Sequence, residues 1–161
     1  MQQLRLSLAL LAVTLFLFSC GHEATPAPAT LYNRIGQADG IAKIVDQLIA
    51  NVGAETQQTN TVMLRTHKPM LDAVSSGADP TRLQRLRNHF IDQLGEATGG
   101  PLKYTGMNML AAHKGMMITE NEFAVWRQAA VSSLATNQLP TKEKAELLAI
   151  LDAMKADVVG H

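Results

Sequence analysis

Apolar residues recur at steps of three and four along most of the chain, which is the spacing of one face of an α-helix. The first long stripe covers about residues 40–52, after a short helical turn over residues 31–36 that Gly36 ends. Ile49 flanks the stripe and widens it. The inward positions of this predicted helix are Ile41, Ile44, Val45, Leu48 and Val52.

A second stripe predicts a helix that begins at Asp79-Pro80 and ends before Gly99. Aspartate is a favoured cap and proline a favoured first helical residue, so this pair marks a helix start. His89 lies at the margin of the apolar face, because each residue turns a helix by about 100°. The predicted inward residues are Leu83, Leu86, Phe90, Leu94 and Ala97.

Two more helices complete the pattern. Thr119 and Glu122 form a capping-box signature at the start of the first of them. Its predicted inward residues are Phe123, Trp126, Ala130 and Leu134. The last helix follows Pro140 and is expected to run to about residue 159, with Leu147, Leu148, Leu151, Met154 and Val158 inward.

Between residues 53 and 77 the pattern loses its period, and an irregular polar region is expected there, with His67 facing solvent from a loop. One short helix is expected between the break at Tyr104-Thr105-Gly106 and Gly115. No useful length of the domain alternates with a period of two, as strands do. The sequence therefore predicts an all-α domain of four main helices and one short helix.

The first 19 residues have the layout of a bacterial lipoprotein signal peptide, with Arg5, an apolar run over residues 8–18 and Cys20 next to the cleavage site. Cys20 is predicted to be the lipidated terminus, residues 20–30 a flexible tether, and residues 31–159 the folded domain. The alternatives are an ordinary signal peptide beside a cysteine and an uncleaved anchor. The expected location is the bacterial cell envelope, outside the cytoplasm and facing the periplasm.

Composition excludes several kinds of site. Basic and acidic residues number 14 each, so there is no electrostatic argument for nucleic acid as a partner. Cys20 is the only cysteine, which excludes an internal disulfide and a thiolate metal cluster. The domain has no nucleophile-elbow or phosphate-binding glycine motif, and no Glu-x-x-His pair that would favour a zinc or di-metal site.

The remaining candidate chemistry belongs to two histidines. His113 shares a helical face with Met109, Leu110, Met116 and Met117, a soft apolar surround that suits a haem iron and equally suits a core histidine. By periodicity alone the core histidine is the commoner case. His89, on the preceding long helix, is by itself most often a boundary residue. Together, on helices joined by a glycine-rich connection, the two imidazoles can flank a planar macrocycle.

From residue 31 to about residue 159 the sequence resembles a truncated haemoglobin of the first group. That family folds as a two-on-two helical sandwich around haem b. The most specific part of the resemblance is the middle of the chain. The residues that carry it are Leu31-Tyr32, Ile35-Gly36, Gly99-Gly100-Pro101, Tyr104-Thr105-Gly106, Met109, Ala112-His113, Ile118-Thr119, Phe123 and Pro140.

The resemblance implies that His113 is the proximal iron ligand and that its other ring nitrogen donates to a backbone carbonyl. It places His89 where some members carry a distal histidine that binds iron as a sixth ligand. The residues expected to contact haem are Leu86, Phe90, Ile49, Tyr104, Met109 and Met117.

The distal side departs from the family pattern. The family usually carries a Phe-Tyr pair whose hydroxyl bonds to bound oxygen, where this sequence has Leu48-Ile49. Leu86 occupies a site that is often glutamine. An apolar pocket stabilises iron-bound O₂ poorly and favours autoxidation, unless His89 supplies the hydrogen-bond donor. Lys103, Arg85 and Arg87 are expected to be solvent-facing charges, with haem propionates as the alternative partners.

Three functions stay open from sequence. The first is a globin that binds O₂ or NO at the envelope, the second a bis-histidyl haem protein for electron transfer or redox sensing, and the third a cofactor-free helical lipoprotein. The expected partners are a diatomic gas, a membrane reached through the lipid anchor, and an unidentified reductase. No reductase domain or acid/base pair is present, so the chain is not expected to be an enzyme. Weak NO-dioxygenase or peroxidase turnover is open to any haem with a free coordination site.

Overall fold

A computed structural model describes residues 28–161. The predicted signal peptide, Cys20 and most of the tether lie outside the described residues. Within the described part the chain is all-α, as predicted, and its only β pairing is an isolated parallel bridge between Ile118 and Val159. None of its helices is both long and apolar enough to cross a bilayer. The helices are α1 Leu31–Arg34, α2 Gln37–Thr56, α3 Leu64–Ser75, α4 Arg82–Ala97, α5 Met109–His113, α6 Glu120–Thr136, α7 Thr141–Ala153 and α8 Lys155–Val158.

The core forms where α2 packs against α4 and α6. The predicted stripe of α2 is buried at Ile41, Ile44, Val45 and Leu48, because residues three and four apart share one helical face. Leu94 of α4 and Leu134 of α6 complete this layer. Most of the positions that periodicity selects on α2 and α6 are therefore the positions that fill the interior.

A row of aromatic rings joins α4 to α6. Trp126, half-buried on α6, lies with its ring centre 6.5 Å from that of Phe90 on α4 and 5.6 Å from that of Phe123 on its own helix. The capping box at the start of α6 is present as predicted. Glu122 N–H donates to the Thr119 hydroxyl at 3.2 Å, and Thr119 N–H donates to the Glu122 carboxylate at 2.8 Å.

The expectation of an irregular region over residues 53–77 is wrong, because α2 continues to Thr56 and α3 occupies much of the rest. Glu55 of α2 fixes the residues that lead into α3. The Glu55 carboxylate accepts from the backbone N–H groups of Val62 at 2.7 Å and Met63 at 3.2 Å, and Met63 is almost fully buried. Burial alone would raise the pKa of Glu55, but these hydrogen bonds outweigh it and the pKa is lowered.

Two predicted boundaries also move. The first helical residue of α4 is Arg82, and the Asp79 carboxylate does not cap it but accepts from the Arg85 guanidinium. The last helix divides at Met154, whose N–H bonds to Leu151 O three residues back rather than four. This tightened turn separates α7 from the short α8, which packs against α5.

Candidate functional site

The connection between α4 and α5 is shaped by close backbone packing at its glycines. A Cβ atom at Gly100 would lie 2.4 Å from the Tyr32 ring and 2.7 Å from Gly95 O, so only glycine fits there. The N–H of Tyr32 donates to Thr98 O at 2.9 Å, which fixes α1 on the end of α4. The double glycine therefore sets where the chain leaves α4 and heads towards α5.

The second break is built around Tyr104. Its hydroxyl donates to Met107 O at 2.6 Å, and a Cβ atom at Gly106 would lie 2.5 Å from that hydroxyl. The backbone N–H of Tyr104 donates to Glu96 on α4 at 3.0 Å. The pKa of Glu96 is lowered by its hydrogen bonds from Lys103 and from this N–H. This segment is thus attached to α4 directly before α5 begins.

His113 ends the five-residue helix α5, which Asn108 caps by accepting from Ala111 N–H at 2.8 Å. The His113 ring is half-buried, and its Nδ1 lies 2.7 Å from Met109 O. A carbonyl oxygen can only accept, so Nδ1 carries the hydrogen and the lone pair of the neutral ring is on Nε2. Within residues 28–161 Nε2 makes no hydrogen bond, so this lone pair is available to a ligand.

His89 is half-buried on α4, and its ring and the Tyr104 ring are nearly perpendicular, with a centroid distance of 5.9 Å and an angle of 82°. Neither of its ring nitrogens forms a hydrogen bond with any residue in the described part of the chain. Through Tyr104 and Met107 the structure links His89 to the segment that carries His113. It gives no iron-binding role to either histidine by itself.

The residues predicted to contact haem fall into two groups. Leu86 on α4 is 46% exposed and Met117, after α5, is 61% exposed, although both are large and apolar. Leu110, at 44%, and Met107, at 64%, share this property. Exposed apolar surface on the elements around two histidines is typical of a ligand-binding face rather than a core. For Leu86 and Ala97 the expectation of burial is therefore wrong.

Phe90 packs against Trp126 and Tyr104 against His89, while Met109 is half-buried and supplies the carbonyl that His113 uses. Ile49 lies elsewhere. It is half-buried and lines an open groove of about 340 Å³ between α2, the end of α3 and α4, beside Val74 and Leu83.

The three cations considered for propionates are all paired with carboxylates. Arg85 bonds to Asp79, Arg87 to Asp46 and Lys103 to Glu96. The Arg87 guanidinium holds the pKa of Asp46 below its usual value. Within residues 28–161 no three His, Cys, Asp or Glu side chains form a group that could hold a metal ion.

Sequence reasoning missed Arg65 at the start of α3. Its guanidinium bonds to the buried carboxylate of Glu122 and to the carbonyl oxygens of Met116 and Met117, which follow His113 in the chain. The partners are 51 to 57 residues away, and no local pattern marks the pair. Of this pair, only Glu122 belongs to a recognisable sequence pattern, the capping box.

Comparison with known proteins identifies the fold. The chain is 24% identical over 131 residues to the group 1 truncated hemoglobin GlbN of Mycolicibacterium paratuberculosis, a match covering 81% of this chain and 85% of that protein. It is 22% identical over 132 residues to the GlbN of a Nostoc species, covering 82% of this chain and 98% of that protein.

Solved structures agree with the architecture. The Fe(III) form of truncated hemoglobin from Tetrahymena pyriformis superposes with a TM-score of 0.62 at 19% identity, covering 83% of this chain and all of that one. The 2/2 hemoglobin of a Synechococcus species, solved with covalently attached heme, gives a TM-score of 0.63 at 19% identity with the same coverage. The helices of this chain thus have the predicted two-on-two arrangement. The model of the bacterial-like globin family matches residues 30–159, and the chain belongs to that family.

Proposed function

We propose that this haem-binding globin holds haem b through His113 and binds a diatomic gas, O₂ or NO, on the side of His89. The observation that carries the proposal is the tautomer of His113. The hydrogen bond from Nδ1 to Met109 O leaves the Nε2 lone pair free of protein partners in the described part of the chain.

The residues around the histidines fit a large, flat, apolar group. Leu86, Leu110 and Met117 expose side chains that such a group would cover, and Met109 and Met117 are adaptable and polarizable. Among residues 28–161 no alternative metal cluster competes with a histidine-ligated haem. When bound, haem supplies an iron that takes one imidazole and one exchangeable gas ligand.

The remaining chemistry belongs to the side chains. Met109 O fixes the tautomer and the orientation of the His113 ring by accepting from Nδ1. Leu86 and Phe90 would exclude water on the distal side. His89 is the polar group there that could donate to a bound gas, since Leu86 and Phe90 have no donor.

A second function rests on His89 itself. Its nitrogens have no hydrogen-bond partner in residues 28–161, and Tyr104 packs against its ring. A histidine in that state is free to become a sixth iron ligand, which would make the protein a bis-histidyl electron-transfer or redox-sensing protein. The absorption spectrum of the ferrous protein without added ligand separates the two functions, because a split low-spin band requires the second histidine.

The experiment that tests haem binding uses a matched pair of histidines. His67 on α3 also has Nδ1 close to a carbonyl four residues earlier, 2.9 Å from Met63 O, so it has the same local hydrogen bond without the proposed role. Haem titration should give a Soret band for the wild type and for His67→Ala. His113→Ala should bind haem at least about 100-fold more weakly, because it loses the iron ligand. A wild type without a Soret band, which His113→Ala leaves unchanged, would favour the cofactor-free helical lipoprotein. A Soret band of equal strength in both proteins would contradict His113 as the iron ligand.

We also propose that Cys20 carries the lipid that attaches the globin to the cell envelope, where an unidentified reductase would keep the iron ferrous. The support is the sequence layout of residues 1–20. Metabolic labelling with palmitate should label the wild type and not Cys20→Ala. An unlabelled wild type would contradict the anchor and leave haem binding unaffected.

A further inference from the structure

The helix that carries His113 is short and buries none of its residues completely. α5 has five residues, none of them buried, and a helix this short is not stable in water by itself. It packs against α8, and its position is set by this contact together with the segments attached to it. The segment on the N-terminal side of α5 contains Asn108 and Tyr104, and the segment on its C-terminal side is the turn of residues 114–118.

That turn is conformationally demanding. Gly115 has a φ of +83° and Met117 a φ of +49°, and for methionine the left-handed region costs about 1 kcal/mol or more. Met116 N–H donates back to His113 O at 3.0 Å, so the turn is continuous with the end of α5. A backbone in this state persists only where its surroundings hold it.

Arg65 on α3 stabilises this turn through hydrogen bonds. Nη1 donates to Met116 O at 2.9 Å and Nη2 to Met117 O at 3.0 Å, while Nε and Nη2 donate to the two carboxylate oxygens of Glu122 at 3.0 and 2.6 Å. Glu122 is buried and also accepts from Thr119, so its position is fixed by the start of α6. One guanidinium thus joins α3, α6 and the turn after His113.

We propose that Arg65 is a positioning residue for His113, which fixes the angle at which this imidazole is presented to the haem iron. The inference rests on the proposed haem-binding function. Only a planar guanidinium group can donate to two carbonyls and one carboxylate at once, so a lysine cannot replace Arg65. On the opposite side, Met117 N–H donates to His161 O, and Gly160 N–H donates to Ile118 O at 2.9 Å. The turn is thus hydrogen-bonded from both sides, and Arg65 supplies the charged hydrogen-bond donor.

The test compares Arg65→Met and Arg65→Lys with Lys68→Met in the full chain. Lys68 lies on the same helix and pairs with Asp72 on its surface, so its loss removes an ion pair without touching the turn. In the haem-free protein, amide hydrogen exchange at Met116 and Met117 should become about tenfold faster in both Arg65 variants and stay unchanged in Lys68→Met. The NMR signal of the His113 Nδ1 hydrogen should weaken in parallel.

In the haem-loaded ferrous protein, the iron–histidine stretching band measured by resonance Raman should shift or broaden in both Arg65 variants. A purely structural role for Arg65 would leave that band unchanged while exchange accelerates, and this outcome would overturn the positioning role. If Arg65→Lys matches the wild type in amide exchange and in the Raman band, the requirement for a guanidinium group is overturned. If Arg65→Met does not fold, the lysine variant decides alone.

The two proposals fail separately. A wild type that takes up no haem overturns the proposed function and the iron part of this inference. Whether Arg65 positions His113 is then decided by the measurements on the haem-free protein. Unchanged amide exchange and an unchanged Nδ1 signal in Arg65→Met would overturn it there as well.

Discussion

The interior formed by α2, α4 and α6 and the short segment around α5 are stabilised in different ways. In the interior, Ile41, Val45 and Leu134 are almost completely buried. In α5 no residue is buried, and the helix packs against the short α8 and is attached through the Asn108 cap, the Tyr104 hydroxyl and the Arg65 guanidinium. The interior therefore depends mainly on apolar packing, whereas the proposed haem-binding face depends more on polar attachments.

The energies differ accordingly. Complete burial of a leucine contributes about 1.5–3 kcal/mol, whereas one neutral hydrogen bond contributes about 1 kcal/mol net. Losing an attachment at α5 should thus change local order and haem geometry more than the free energy of unfolding. Under the proposed function this face receives haem, so its apolar side chains stay uncovered in the protein alone and polar attachments stabilise it.

The largest expected effect comes from the interior. Leu134→Ala should lower the free energy of unfolding by about 2–5 kcal/mol, because Leu134 is 1% exposed and the substitution leaves a cavity. The same change at Leu110, which is 44% exposed on α5, should cost less than about 0.5 kcal/mol in the haem-free protein. Urea unfolding followed by circular dichroism measures both. Similar losses at the two sites would contradict the distinction between the regions.

An intermediate effect is expected from pH at Glu122. Burial alone would raise the pKa of its carboxyl, but hydrogen bonds from Arg65 and Thr119 outweigh this and hold the pKa below its usual 4.5. Stability from a lowered carboxyl pKa is fully present above the unfolded value and is lost as the pH falls through the folded value.

The wild type should therefore exceed Glu122→Gln in unfolding free energy by about 1–2 kcal/mol at about pH 7. The advantage should shrink as the pH falls below about 4.5. Urea unfolding of both proteins across this range is the measurement. Glutamine preserves the shape of the capping box, so a difference that does not depend on pH would show that charge is irrelevant at this position.

The smallest effect on global stability is expected for the α5 cap. Asn108→Ala should leave the free energy of unfolding within about 0.5 kcal/mol of the wild type while amide exchange at Ala111 accelerates about fivefold. Thr30→Ala is the matched control, because Thr30 caps α1 by accepting from Asn33 N–H and α1 buries Leu31 and Tyr32. There the loss of the cap should lower the unfolding free energy by about 1 kcal/mol. The reverse ranking would mean that α5 belongs to the cooperative core.

Sequence was sufficient where one physical signal acts over short distances. The α2 stripe and the Thr119–Glu122 capping box depend on residues three or four positions apart, and both are present. The predicted glycine breaks are also present: Gly100 packs against the Tyr32 ring and Gly95 O, and Gly106 packs against the Tyr104 side chain. The hydrogen bond from the His113 ring to a backbone carbonyl, expected from the family resemblance, is present at Met109 O.

Sequence was insufficient where the stabilising partner is distant or where competing partners exist. The pattern of α3 is obscured by Pro69 in its interior and by the polar residues before it, and Glu55 of the preceding helix fixes the residues that lead into it. The sequence position of Asp79 predicts a helix cap, but its carboxylate accepts hydrogen bonds from Arg85 instead. Leu86 follows the apolar stripe of α4 yet lies exposed, because periodicity identifies a face without saying whether protein or ligand covers it.

The aromatic row between α4 and α6 provides an internal optical probe. Trp126 is the only tryptophan in the sequence, and it lies between Phe90, a residue predicted to contact haem, and Phe123 near the start of α6. Its fluorescence therefore originates from one place, the seam between the interior and the ligand-binding face. Haem uptake would quench that emission by energy transfer, and unfolding would shift it to longer wavelength as water reaches the indole. A single unlabelled sample can thus report the integrity of both regions.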